Sequence, residues 1–216
     1  MLNILKMKRI FQLFTIVVLC TLSTSFTASA QFDLGKALGQ LMGSTEPTST
    51  MPSPYDTLRD HAPQRSNLLG TWHYKAASLE YLGDNPLAEV ALAQIEVMGT
   101  SELAKYGIVE GCCTITIRRN GMAVLATRDA IQDCYIDYNE ENAEMEVSTT
   151  VDGVTYRAKG YVRMTTQYLT LLFHAQDILK IIEQATPEVT YDQMYLAAKE
   201  VVKSFKDGYL AIILTR

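Results

Sequence analysis

The side chains able to do acid–base, nucleophilic or metal chemistry are few in this 216-residue chain, and they are scattered. His61, His73 and His174 are its only histidines, and none pairs with another at ligand spacing. A zinc centre needs three or four converging donors, so no metal site is expected. There is no Gly-x-Ser-x-Gly elbow, and no cysteine has a histidine near it in a nucleophile arrangement. No catalytic residue and no cofactor are assigned on this basis, and the chain is read as a non-enzyme. Asp137, Glu140, Glu141, Glu144 and Glu146 crowd one turn. Such carboxylates can hold calcium, but Asp137 to Asn142 lacks the glycine and the final spaced glutamate of an EF-hand loop. The expectation is a solvated acidic hairpin tip.

Two other groups of residues could matter. Cys112, Cys113 and Cys134 lie beyond the N-terminal leader described below. Neighbours on a strand point to opposite faces, so Cys112 and Cys113 cannot both aim at Cys134. A Cys113–Cys134 disulfide and free thiols acting as small hydrophobes both remain open. The aromatic residues Trp72, Tyr74, Tyr135, Tyr156, Tyr161, Tyr168 and Phe173 all fall on expected strands. Trp72, Tyr74, Tyr135, Tyr156 and Tyr168 are the candidate ligand-contact residues.

The elements that must position them alternate between two periods. Leu68 to Lys75 reads as a strand, with Trp72 and Tyr74 on one face. Asn85-Pro86 starts a helix whose apolar stripe is Leu87, Val90, Ala91, Ile95 and Met98. Strands follow at Cys113–Ile117, Met122–Thr127, Cys134–Tyr138, Met145–Val151, Val154–Arg163 and Tyr168–Phe173. Asn120-Gly121 is the strongest hairpin signal, as a type I′ turn, and Asp152-Gly153 supplies another tight turn. After Phe173 the period becomes helical through Ile178, Leu179, Ile182 and Ala185, and Pro187 stops it. Thr190 with Gln193 suggests a capping box for a helix through Met194, Ala197, Ala198, Val201 and Phe205, ending at Gly208. Tyr209 to Leu214 is the last strand. An antiparallel sheet of about eight strands removes its edges by closing, so the first and last strands should pair. The fold class is mainly β with helical insertions, an eight-stranded antiparallel barrel.

Upstream, Lys6, Lys8 and Arg9, the apolar run Ile10 to Leu22 and the small residues Ala28-Ser29-Ala30 form a signal-peptide pattern over residues 1–30. Ser23, Thr24, Ser25 and Thr27 interrupt the run short of the roughly 20 apolar residues that span a bilayer. No transmembrane segment is therefore expected after cleavage. Lipid attachment at Cys20 is the rival, weakened because Leu19 is not small. Cleavage removes three of 19 basic and none of 24 acidic residues, taking the net charge from −5 to −8. Beyond the leader Arg118-Arg119 is the only basic doublet, so no nucleic-acid partner is expected. Residues 31–65 divide into a short amphipathic segment, carried by Leu34, Ala37, Leu38 and Leu41, and a Ser/Thr/Pro-rich linker. The folded domain should span 66–216.

Leu69-Gly70-Thr71-Trp72 resembles the first strand of the lipocalin and calycin group. That resemblance implies a Trp packed at the closed end of the barrel and a basic residue from the last strand, here Arg216, covering it. The order of leader, docking peptide, linker, Leu-Gly-Thr-Trp, helical insertion, hairpin and final strand after Asp207-Gly208 resembles a family of secreted lipocalin-like domains of unknown function over roughly 66–216. The chain departs from true lipocalins in lacking Thr-Asp-Tyr and in placing its long helical part before the last strand. The functions this architecture permits are two. One is an extracytoplasmic binding protein for an apolar or amphipathic small molecule. The other is a cell-envelope interaction or structural module with a side-chain-filled barrel, docking an envelope protein through Phe32 to Met42. Small barrels of this size take either form. The oligomeric state, and whether the chain rests in the periplasm, in the envelope or outside, are not fixed by sequence.

Overall fold

The structure, a computed structural model, describes residues 54–83, 88, 108–191, 193–204 and 206–216. The expected signal peptide, Cys20, the expected amphipathic segment 31–42, the expected linker up to residue 53 and, apart from Ala88, the helix expected from Asn85 lie outside the described residues. Eight strands close into one antiparallel barrel in sequence order. They are β1 (Gly70–Tyr81), β2 (Cys113–Ile117), β3 (Met122–Thr127), β4 (Ile131–Tyr138), β5 (Glu144–Val151), β6 (Val154–Met164), β7 (Tyr168–His174) and β8 (Gly208–Thr215). β1 and β8 pair from His73↔Thr215 to Tyr81↔Gly208, with a register shift between Tyr74 and Ala76. Closure pairs the first strand with the last and so removes the sheet's two outer edges.

The hairpin turns differ from expectation. Gly121 alone takes positive φ (+80°) at Asn120-Gly121, with Gly121 N–H donating to Arg118 O and Arg118 N–H to Met122 O. That is a three-residue loop with a left-handed glycine. The two-residue turn with both centres at positive φ is instead Asp152-Gly153, at 50° and 80°. Asp tolerates this region because its short polar side chain costs little there.

Two short helices precede the barrel, α1 (Pro54–Asp60) and α2 (Arg65–Leu68). The first corrects the expected linker. Tyr55 and Leu58 pack on Leu172, Tyr209 and Ala211, which face outward from β7 and β8. The Tyr55 hydroxyl donates to Asp207 Oδ1 at 2.5 Å, which pins α1 to the start of β8. The domain therefore starts by Pro54, twelve residues before the boundary read from composition.

Two longer helices sit between β7 and β8, α3 (Ala175–Ala185) and α4 (Gln193–Ser204), joined by a 3-10 turn (Pro187–Tyr191). Thr190 lies inside that turn and its hydroxyl donates to Pro187 O, so it is not the expected capping residue. The buried α3 residues Ala175, Ile178, Leu179 and Ile182 share one apolar cluster with Phe173 and Leu210. They cover the barrel on the β6–β8 side, where β7 stops short of β6.

Candidate functional site

Strand register fixes which side chains enter the barrel, because paired residues face the same way and alternate along each strand. Trp72 pairs with Ile115, which pairs with Leu125; Ala123 pairs with Cys134, and Cys134 with Thr149. These all point inward. Trp72 is 2% exposed, its indole N–H donates to Leu68 O at 2.9 Å, and the Arg216 guanidinium lies 4.7 Å from its ring. α2 lids this end: Leu68 is buried, the Tyr138 hydroxyl donates to Pro63 O at 2.6 Å, and Arg65 donates to Tyr138 O.

Inward burial then falls along every strand of the β2–β5 wall. Ile117, Ala123, Ile136 and Met145 are buried beside Trp72, whereas Ile115, Leu125, Cys134 and Val147, one inward step further, are half-exposed. Thr127, Gln132, Thr149 and Tyr156 follow, also half-exposed. A side chain pointing into a barrel meets solvent only through the lumen. Among the described residues, the inward side chains are therefore fully packed at the Trp72 end and only partly covered in the other half, along a mainly apolar wall.

The wall carries a small polar group. Gln132 Nε2 donates to Thr149 Oγ1 at 2.8 Å, and Thr149 Oγ1 donates to Asp133 O at 2.9 Å. Tyr156 sits opposite Thr149 on β6. One amide, one hydroxyl and one phenol on adjacent strands can orient a polar end while the apolar wall holds the rest.

The five residues singled out from sequence divide by register. Trp72, Tyr74 and Tyr156 point inward; Trp72 and Tyr74 are buried in the packed half, and only Tyr156 lines the accessible one. Tyr135 and Tyr168 are corrected: each is one position from an inward residue, Cys134 and Leu169, and so faces out. Tyr135 is 48% exposed, and Lys75 Nζ lies 5.6 Å from the Tyr168 ring. The candidate Cys113–Cys134 disulfide is not formed, since both are free thiols. Cys113 pairs with Thr127 and Cys134 with Ala123 on the intervening β3, so they stand two strands and four residues apart. That separation is far beyond the roughly 7 Å limit between bridged Cα atoms. Gly160, inward on β6, has no room for a side chain: a Cβ there would lie 1.7 Å from Leu172 O. Leu125, Gln132, Val147 and Thr149 were missed; counting inward steps from Trp72 through the hairpins would have found them.

Outside the barrel, Tyr55, Tyr161, His174 and Tyr209 form a ring cluster with centroids 4.7–6.4 Å apart. Burial pushes the Tyr55 and Tyr161 phenols up and the His174 imidazole down. The cluster glues α1 to β6–β8. Among the described residues, no group of three or more His, Cys, Asp or Glu converges as a metal site, and no helix is long and apolar enough to cross a membrane.

A closed eight-stranded antiparallel barrel with a buried first-strand tryptophan at one end defines the lipocalin-like class. The family model for the lipocalin-like domain DUF4923 matches residues 49–216, and the chain belongs to that family. The match reaches upstream past α1, in agreement with the docking of that helix. No curated protein and no solved structure matches the chain in the same comparisons.

Proposed function

We propose that this chain is an exported, non-enzymatic binding protein that takes an apolar or amphipathic small molecule into the accessible half of its barrel. The observation that carries this reading is the fall of inward burial along β2–β5, from Ala123 at 0% to the half-exposed Leu125 one inward step on. Burying such a wall against a ligand gains about 25 cal/mol per Å² of apolar area before the costs of association. Gln132, Thr149 and Tyr156 orient the polar end. Trp72, satisfied at its N–H and covered by Arg216, is the floor and not a ligand contact.

Native mass spectrometry of the purified domain, followed by organic extraction, tests this. A co-purified lipid-like compound, or saturable uptake of an apolar fluorophore by the emptied protein, is the expected result. A barrel that is repeatedly empty and takes up no probe would return the function to the alternative, an envelope module acting on a protein partner. Export rests on the leader in the sequence. Intact mass of the product recovered outside the cytoplasm should start at Gln31; a product that keeps residues 1–30 in the cytoplasm would remove that part of the proposal.

A further inference from the structure

Adjacent cysteines on a strand would diverge, yet here the pair straddles the end of one. Cys113 is the first residue of β2 and points inward by register, while Cys112 lies in the bend before it. The bend is fixed from three sides. Gly111 takes φ +77° and its N–H donates to Tyr74 O at 2.7 Å, Cys112 N–H donates to Val109 O at 2.9 Å, and Glu110 pairs with Lys75 at 3.3 Å. The turn swings the Cys112 side chain onto the side that Cys113 occupies. Both thiols pack against the same interior cluster as Tyr74, and both keep partial solvent access. Cys134 stands elsewhere on the wall and takes no part.

We propose that Cys112 and Cys113 are a two-thiol redox site on the barrel wall, which a low-molecular-weight disulfide converts reversibly to a vicinal disulfide. The Cys112 thiolate attacks one sulfur of the external disulfide RSSR, forming a mixed disulfide and releasing one RS⁻. The Cys113 thiol then loses its proton and attacks the Cys112 sulfur, closing the ring and releasing the second RS⁻. The two protons given up by the cysteines leave with the two thiolates. The pair is oxidised by two electrons and RSSR is reduced to two RSH. Cys112 lies in the bend and is less desolvated than Cys113, whose thiol burial pushes up, so Cys112 is the attacking sulfur. Adjacent Cα atoms are only about 3.8 Å apart, closer than in most disulfides, so the ring is strained and readily reduced. It is a reversible device and not a structural bridge.

Oxidised glutathione added to the reduced protein, read by intact mass and peptide mapping, tests the proposal. Wild type and C134S should lose the mass of two hydrogen atoms, with the link mapped to Cys112–Cys113, and dithiothreitol should restore it. C112S should not form the link, and C113S should stop at the glutathione adduct on Cys112. Limited alkylation of the wild type, which needs no variant to fold, should label Cys112 about ten-fold faster than Cys134. A stable adduct on wild type, a link to Cys134, or equal alkylation rates would overturn the assignment.

Discussion

At the scale of single residues, the sharpest constraint is a missing atom. Gly160 on β6 lies so close to β7 that an added Cβ would meet the Leu172 carbonyl oxygen at 1.7 Å and the Leu172 carbonyl carbon at 2.7 Å. Those are backbone atoms of a ladder partner and cannot rotate away. Gly160→Ala should cost about 3 kcal/mol, the upper end of overpacking penalties, read as a lowered urea midpoint. His174 gives a second residue-scale prediction. Burial between Tyr161 and Tyr209 lowers its imidazole below the ordinary value of 6.5, so the unfolded chain takes up the proton first. Stability should be full above pH 6.5 and fall as the pH drops below it toward the depressed folded value. H174Q should flatten that slope in denaturation curves between pH 7.5 and about 5.5, a window lying above the carboxylate range. An unchanged slope would show that another group titrates there.

Among the elements, α1 is the one composition misjudged. Gly43 to Asp56 is rich in Ser, Thr and Pro, and only Tyr55 and Leu58, three residues apart, hint at a buried face. Their partners, Tyr161, Leu172 and Tyr209, lie more than a hundred residues away, so no local pattern marks the contact. Leu58 is 6% exposed, and Leu58→Ala should cost about 2 kcal/mol or more in thermal or chemical unfolding. Removing residues 31–53 should leave stability nearly unchanged, which separates the helix from what precedes it. The strands were far easier to read. β2 and β3 match their expected bounds residue for residue, because alternation and the Asn120-Gly121 signal are local. β1 runs six residues further than expected, to Tyr81, held there by pairing with β8 at the other end of the chain.

Across the whole molecule, the two halves of the barrel do different work. The Trp72 half is a packed core sealed by α2 and Arg216, and the other half offers an apolar wall with three polar groups. Filling the open half should abolish uptake without harming the fold. Leu125→Trp is expected to weaken binding of an apolar fluorophore by about ten-fold or more while moving the unfolding midpoint little, since Leu125 already keeps accessible surface. The outward Tyr135→Ala, one residue from the wall-lining Cys134, should leave uptake unchanged.

The sequence by itself determined the strand count, the pairing of first with last strand, the helices before β8 and the tryptophan floor with its arginine cover. The strands and helices follow from local periodicity and turn residues, the first–last pairing from the need to remove sheet edges, and the tryptophan floor with its arginine cover from the resemblance to the lipocalin and calycin group. Only the tertiary structure decided which aromatics face the lumen, that Cys113 and Cys134 stand two strands apart, that α1 packs on the barrel, and that inward burial falls away from the Trp72 end. Those outcomes depend on register between strands, where one residue of offset exchanges inside for outside, and on how far packing reaches from one end of the barrel.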